Sequence, residues 1–264
     1  MKQQRGIFIL QQILLKMRFT CLGIAGGFVS ADQNTQSYFL EFNNSNLLFD
    51  ASEGAAISLN NISIDTIFIS HIHMDHISGL PQIILNHINN NFQIPIIYAP
   101  SGSQQFITNF FSLMNLEVNI NIIQIDTILQ NIDYKISTIE LFHVVECYGI
   151  RIETSKNKLI YILSDGDYSN LEILESVPID YLICECTFTN LEKAKQFKHS
   201  NDTIVRQLVD RLNVQNIIIG HFSLRLKNNF KPNLSNMMDC FQALTDLNNI
   251  TFLCQNGSLL MNVE

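Results

Sequence analysis

The chain has 264 residues, of which 47% are hydrophobic and 15% charged. That balance fills a core and excludes a disordered chain, and the length suits one large domain or two small ones. A net charge of −8 argues against a protein that grips nucleic acid by charge alone, yet leaves room for an enzyme whose bound cations supply the local positive charge.

Residues 1–16, "MKQQRGIFILQQILLK", are basic and then apolar. The apolar part is too short to span a bilayer, Gln11 and Gln12 interrupt it, and no clean small-residue cleavage site follows. It reads as an extension, either a short extra helix or a stretch upstream of a start at Met17, and no membrane association is expected. Apolar runs that read as strands follow: "RFTCLGI", "SYFLEF", "LLFDA", "DTIFIS", "IPIIYAP", "VNINIIQI", "YKISTIELF", "YGIRIET", "KLIYILS", "YLICECTF" and "NIIIGHF". The run "ITFLCQNGSLLMNV" reads as a hairpin with Asn256-Gly257 at its turn. Helices are expected over about 79–90, 102–114, 168–176, 200–213 and 233–247, bounded by Ser, Asn, Asp or Pro. Strands with helices interspersed mean α/β layering. No Gly/Ser-rich or Pro-rich linker divides 17–264, so one domain is expected there. Strand-rich halves each covered by helices suggest a four-layer αββα sandwich, although periodicity alone does not select it over other α/β folds.

Six cysteines, Cys21, Cys147, Cys184, Cys186, Cys240 and Cys254, form no CxxC and sit mostly in apolar runs. They read as reduced core residues of a cytosolic protein. On a strand, Cys184 and Cys186 share one face and Glu185 points the other way, which favours packing over a zinc pair.

The stretch "SHIHMDHISGL", residues 70–80, carries His71, His73, Asp75 and His76 within six positions, out of seven histidines in the chain. It lies between a strand and a helix, where ligands gather. In extended chain His71 and His73 point the same way, and this donor set suits zinc or manganese. His143, Asp165 and His221 each sit just beyond another apolar run. If those strands are neighbours, their ends form one polar edge that holds two metals: His71, His73 and His143 on one, Asp75, His76 and His221 on the other, Asp165 bridging. A two-metal centre polarises a phosphodiester or ester and acidifies water near neutral pH. Asp50, after "LLF", reads either as support for this site or as a helix cap. His87 reads as a helix-surface residue.

"HIHMDH" resembles the HxHxDH signature of the metallo-β-lactamase superfamily, with further counterparts in "LLFDASEG", "LFHVVECYGI", "ILSDGD" and "IIIGHFSLR". That resemblance covers the chain from about Met17 to its end. It implies the αββα fold with a dinuclear metal site, most often zinc, with manganese or iron as alternatives. Within the superfamily the chain is most similar to ribonuclease Z, which trims the 3′ trailer of precursor tRNA. "LICECTF", "KHSNDT", "HFSLR", "CYGIRIE" and "LGIAGG" carry that likeness. It implies that Asp75 is both ligand and general base, that His199 protonates the leaving oxygen, and that Glu185 orients His199. It also implies a cytoplasmic enzyme, commonly a homodimer, with precursor tRNA as substrate.

Several positions depart from that pattern. No flexible tRNA-gripping arm lies between His143 and Asp165, where the chain has only "VVECYGIRIETSKNKLIYILS". Lys198 stands where the family has glycine before the histidine, and "SDGDY" sets Asp167 beside Asp165. Two further readings therefore stand beside the ribonuclease: a hydrolase of a small substrate (cyclic nucleotide, lactone or thioester), and a non-catalytic member. The second would be expected to have lost ligands.

Overall fold

The computed structural model describes residues 17–29, 33–125 and 129–223, together with the backbone of short strands at 250–252 and 258–261. The expected helix at 233–247 and the extension 1–16 lie outside the described residues. In chain order the elements are β1 (Met17–Gly23), β2 (Ala25–Gly26), β3 (Ser37–Glu41), β4 (Asn46–Phe49), α1 (Glu53–Ser58), β5 (Thr66–Phe68), α2 (Met74–Ile77), α3 (Leu80–Asn89), β6 (Ile96–Ala99), α4 (Ser103–Leu113), β7 (Ile122–Gln124), β8 (Leu129–Gln130), β9 (Tyr134–Leu141), β10 (Cys147–Thr154), β11 (Leu159–Ile162), β12 (Ile179–Glu185), α5 (Leu191–Phe197), α6 (Asp202–Arg211), β13 (Val214–Gly220), β14 (Phe222–Ser223), β15 (Ile250–Phe252) and β16 (Ser258–Met261).

Two mixed sheets face each other, in the orders β16-β1-β3-β4-β5-β6-β7 and β15-β13-β12-β11-β10-β9-β8. The first sheet is buried on both faces, which is why its strands read as unbroken apolar runs. Alternate residues divide cleanly between two cores. Phe19, Tyr38, Leu40, Leu47, Phe49 and Phe68 enter the core shared with the second sheet. Phe39, Leu48, Ile67 and Ile97 pack instead against Ala55, Leu80, Ile83, Ile84, Ile107 and Phe111 from α1, α3 and α4. On the other side, α6 presents Ile204, Val205 and Leu208 to the second sheet. Asn201 starts α6 by accepting the Ile204 N–H through its side chain at 3.0 Å. The layering is thus the αββα sandwich of the metallo-β-lactamase fold. Among the described residues no helix is long and apolar enough to cross a membrane.

Three expectations are corrected. The C-terminal run is not a hairpin. β15 pairs in parallel with β13 at the edge of the second sheet, and β16 pairs antiparallel with β1 at the edge of the first. Each strand thus satisfies the unpaired backbone of a different sheet. Residues 168–176 are not an α-helix. A single 3-10 turn at Tyr168–Asn170 gives way to extended chain in which half-buried Leu171, Ile173 and Glu175 alternate with exposed neighbours. The apolar period here is two, not 3.6. Glu175 tethers this segment by accepting hydrogen bonds from Arg151 Nε at 2.6 Å and from the Tyr161 hydroxyl.

His87 is the third correction. It is buried, accepts the Ile64 N–H at 3.3 Å and has its other ring nitrogen 2.7 Å from the Gln93 carbonyl. It pins the β5 approach to the end of α3 and lies outside the polar edge. His87→Ala leaves a buried donor and a buried acceptor unpaired, each costing about 1–3 kcal/mol. Urea unfolding is expected to give a lower midpoint with unchanged slope and with full metal content.

Candidate metal centre

β4, β5 and β6 run parallel, as do β11, β12 and β13. β9 shares the direction of β11, since both are antiparallel to β10. The C-terminal ends of these strands therefore open onto one edge, where α/β sheets place their ligands. Asp50 follows β4, His71 follows β5, His143 follows β9, Asp165 follows β11, Glu185 ends β12 and His221 follows β13. Two bonds stitch the sheets there: the Tyr148 N–H to the Ser70 carbonyl at 3.0 Å, and the Ser164 hydroxyl to the Ser70 hydroxyl at 2.8 Å.

His71 Nε2 lies 2.9 Å from His73 Nδ1, which is 3.3 Å from His143 Nε2. Asp165 Oδ2 faces this group, 3.7 Å from His71 Nε2 and 3.9 Å from His143 Nε2. Its other oxygen, Oδ1, is 3.1 Å from His221 Nε2 and 3.5 Å from His76 Nε2. Asp75 Oδ2 closes the second group, 3.4 Å from His76 Nε2 and 3.5 Å from His221 Nε2. Asp165 therefore touches both groups. Asp167 does not, and instead accepts the Ser169 N–H to cap the 3-10 turn.

The donor set fits divalent cations. His76 Nε2, Asp165 Oδ1 and His221 Nε2 are buried without a hydrogen-bond partner, a costly arrangement that a shared cation resolves. The opposite ring nitrogens are already engaged, as they are in metal-ligating histidines. His76 Nδ1 meets Asp50 at 2.7 Å, His143 Nδ1 meets the Lys198 carbonyl at 2.9 Å, and His221 Nδ1 meets the Thr187 hydroxyl at 2.8 Å. Burial pushes the His71, His73 and His143 imidazoles down, towards the neutral, ligating form. Burial alone would raise Asp165, but His221, His76 and His199 hold it well below the usual carboxylate range. Asp75 is likewise low, with His76 and His221 outweighing its burial.

His199 stands beside this pair of groups. Its Nδ1 lies 2.9 Å from Glu185 Oε1, and its ring is stacked 5.7 Å from that of His221. Burial would lower its pKa, but Glu185 and then Asp165 push it up to about 9. Glu185 is fully buried and also accepts the Gly166 N–H at 2.8 Å and the Thr187 N–H at 3.1 Å. Its orientation, and through it that of His199, is fixed.

Other residues of the edge had little signal in the sequence. Asp50 is a support and not a helix cap. Its carboxylate accepts from Ser70 N at 2.8 Å and Ser70 Oγ at 3.0 Å besides holding His76, while the N-cap of α1 is Ser52. Ser70 also sits 3.0 Å from His71 Nδ1. The Thr187 hydroxyl joins Glu185 to His221. Gly26 allows the His221 ring against the backbone, since a Cβ there would lie 2.6 Å from ring atoms. Asp50 and His221 hold left-handed φ of 60° and 51°, costing about 1–3 kcal/mol each. Only the adjacency of Ser70 and Thr187 to motif residues could have flagged them. Cys147, Cys184 and Cys186 are buried, form no disulfide and lie outside these groups of ligands.

A family profile described as "Beta-lactamase superfamily domain" matches residues 45–222. The chain is 31% identical over 150 residues to Ribonuclease BN of Erwinia tasmaniensis, covering 52% of this chain and 49% of that protein. Against Ribonuclease Z of Bacillus cereus it is 23% identical over 300 residues, covering 88% of this chain and 98% of the other. The chain thus spans about half the length of the first of these relatives. Among solved structures, the metallo-β-lactamase-fold protein YhfI of Bacillus subtilis superposes with a TM-score of 0.75 at 19% identity, covering 93% and 99% of the two chains. Human tRNase Z, short form, gives a TM-score of 0.72 at 22% identity over the same shares.

Proposed function

Since the chain belongs to the β-lactamase superfamily domain family, we propose that it is a metal-dependent phosphodiesterase of ribonuclease Z type, cleaving RNA such as the 3′ trailer of precursor tRNA. The observation that carries this reading is the pairing of two convergent ligand groups with the buried Glu185–His199 couple. His71, His73, His143 and Asp165 would hold one divalent cation, and Asp75, His76, His221 and Asp165 a second. Zinc is the metal this donor set favours, with manganese or iron as alternatives. Bound cations supply Lewis-acid polarisation of the phosphoryl oxygen and acidify water.

The protein's own groups do the rest. Asp75, fixed by the Gly27 N–H at 2.7 Å, accepts the proton of the attacking water. His199, whose pKa Glu185 pushes up, donates a proton to the leaving oxygen. Glu185 orients it and stabilises its charge. His199 also converges with Asp165 and His221; we assign it the role of acid, oriented through Nδ1 by Glu185, and metal content in His199→Ala separates that role from ligation. The buried free thiols support a reducing, cytoplasmic setting.

One observation favours a smaller substrate. β10 and β11 join through a tight turn closed by the Thr154 N–H to the Lys158 carbonyl at 2.9 Å, where a tRNA-gripping arm would be inserted. The test is cleavage of a precursor tRNA carrying a 3′ trailer, with zinc or manganese, beside bis(p-nitrophenyl) phosphate. Cleavage at the trailer junction supports the ribonuclease. Hydrolysis of the small diester alone moves the substrate to a small phosphodiester. Failure on both with metals loaded contradicts the phosphodiesterase.

A further inference from the structure

Lys198 occupies a site-edge position whose backbone disfavours any side chain. It ends α5 in the left-handed conformation, φ 52°, which a side chain with a Cβ adopts at about 1–2 kcal/mol above glycine. The helix end needs that conformation: the His199 N–H returns to the Ala194 carbonyl at 2.9 Å and the Lys198 N–H to the Lys195 carbonyl, the turn that glycine usually makes. Strain kept beside a reaction centre points from an observed outlier to a role.

The side chain reaches back over the loop that carries Phe142 and His143. Lys198 Nζ donates to the His143 carbonyl at 3.3 Å and sits 4.4 Å from the centroid of the Phe142 ring. An ammonium has three donors, so one bond to the described residues leaves two. Phe142 immediately precedes His143 yet is 62% exposed, so the ring contributes little to the core. The ammonium covers one face of this exposed ring; in a chain of net charge −8, a cation and an exposed aromatic ring together match the two halves of a nucleotide, a phosphate and a base.

We propose that Lys198 and Phe142 form a subsite for the nucleotide next to the scissile phosphodiester, the ammonium taking its phosphate and the ring stacking its base. This rests on the phosphodiesterase reading and narrows the substrate to one with at least two nucleotide units. A rival role is purely structural: Lys198 brackets His143, since its carbonyl also accepts from His143 Nδ1. Lys198→Gly separates the two, because it keeps that carbonyl and the left-handed turn while removing the ammonium.

The test is anisotropy binding of a labelled five-residue oligoribonucleotide to the zinc-loaded protein over a range of salt. Lys198→Gly and Lys198→Gln are expected to bind several-fold more weakly, with a log–log salt slope shallower by about 0.7, the value for one phosphate contact on a single strand. The melting temperature of Lys198→Gly should be level with wild type or higher. Phe142→Ala is expected to lose about tenfold on the oligoribonucleotide and nothing on an abasic strand. The exposed Lys193→Ala serves as control, with an unchanged slope. Equal slopes and affinities in both Lys198 variants, or a wild type that does not bind, overturn the subsite. If the subsite variants bind as wild type while wild type still hydrolyses diesters, only the subsite fails. Binding as expected without hydrolysis of any diester sinks the phosphodiesterase and leaves the subsite.

Discussion

Asp165→Asn is expected to remove metal from both halves of the centre and to lower hydrolysis by well over the ~100-fold that losing a supporting residue costs. Its Oδ2 faces His71 and His143, and its Oδ1 faces His76 and His221. Every other ligand serves one group. Asparagine keeps the shape and loses the charge, so packing is little disturbed while the anionic bridge disappears. The metal-free variant should also lose stability, since a buried charge partner costs about 3–5 kcal/mol when removed from its cluster. Atomic emission on the purified variant gives the metal content, and urea unfolding gives the stability. Asp167→Asn, by contrast, removes only a charge from the cap of a 3-10 turn and should retain both metals.

The second large effect separates proton transfer from metal binding. His199→Ala is expected to lower kcat by about 10²–10⁴, the range for a positioned general acid, with metal content and KM close to wild type. Glu185→Gln should follow part of the way, because it leaves His199 in place without the carboxylate that holds it protonated. The pair is coupled at 2.9 Å, so the double variant should be little worse than His199→Ala alone. A leaving group that needs no protonation, such as p-nitrophenolate, should rescue much of the loss. Full loss on that substrate would place His199 among the ligands.

The strands were legible because both faces of the first sheet are buried, and apolar runs such as "DTIFIS" and "LLFDA" say so directly. The candidate ligand cluster was legible for a related reason: three imidazoles and a carboxylate in six residues are hard to explain by packing. Their partners His143, Asp165 and His221 could be found because each ends a strand. The errors came where meaning depends on the partner. "ITFLCQNGSLLMNV" has the pattern of a hairpin, yet its halves pair with β13 and β1 in different sheets, and no local feature encodes that choice. In 168–176 the expected helix fails because Leu174 is 91% exposed and the burial period is two. His87 looked like a surface histidine because its acceptor and donor, the Gln93 carbonyl and the Ile64 N–H, are invisible in a list of side chains. Ser70, Thr187 and Gly26 are small and common residues whose work at the edge comes from what the fold brings beside them.

The most direct test of the account is zinc binding by the purified, metal-free protein, measured by calorimetric titration with the melting temperature followed in parallel. Two ions per chain and a rise in melting temperature are expected, since cations bind the folded cluster and not the unfolded chain; at 100 times the dissociation constant this amounts to about 2.7 kcal/mol for one site. His221→Ala should lose one ion and most of that rise. A folded protein that binds neither zinc nor manganese, with His71, His73, Asp75, His76, His143, Asp165 and His221 all intact, would contradict it.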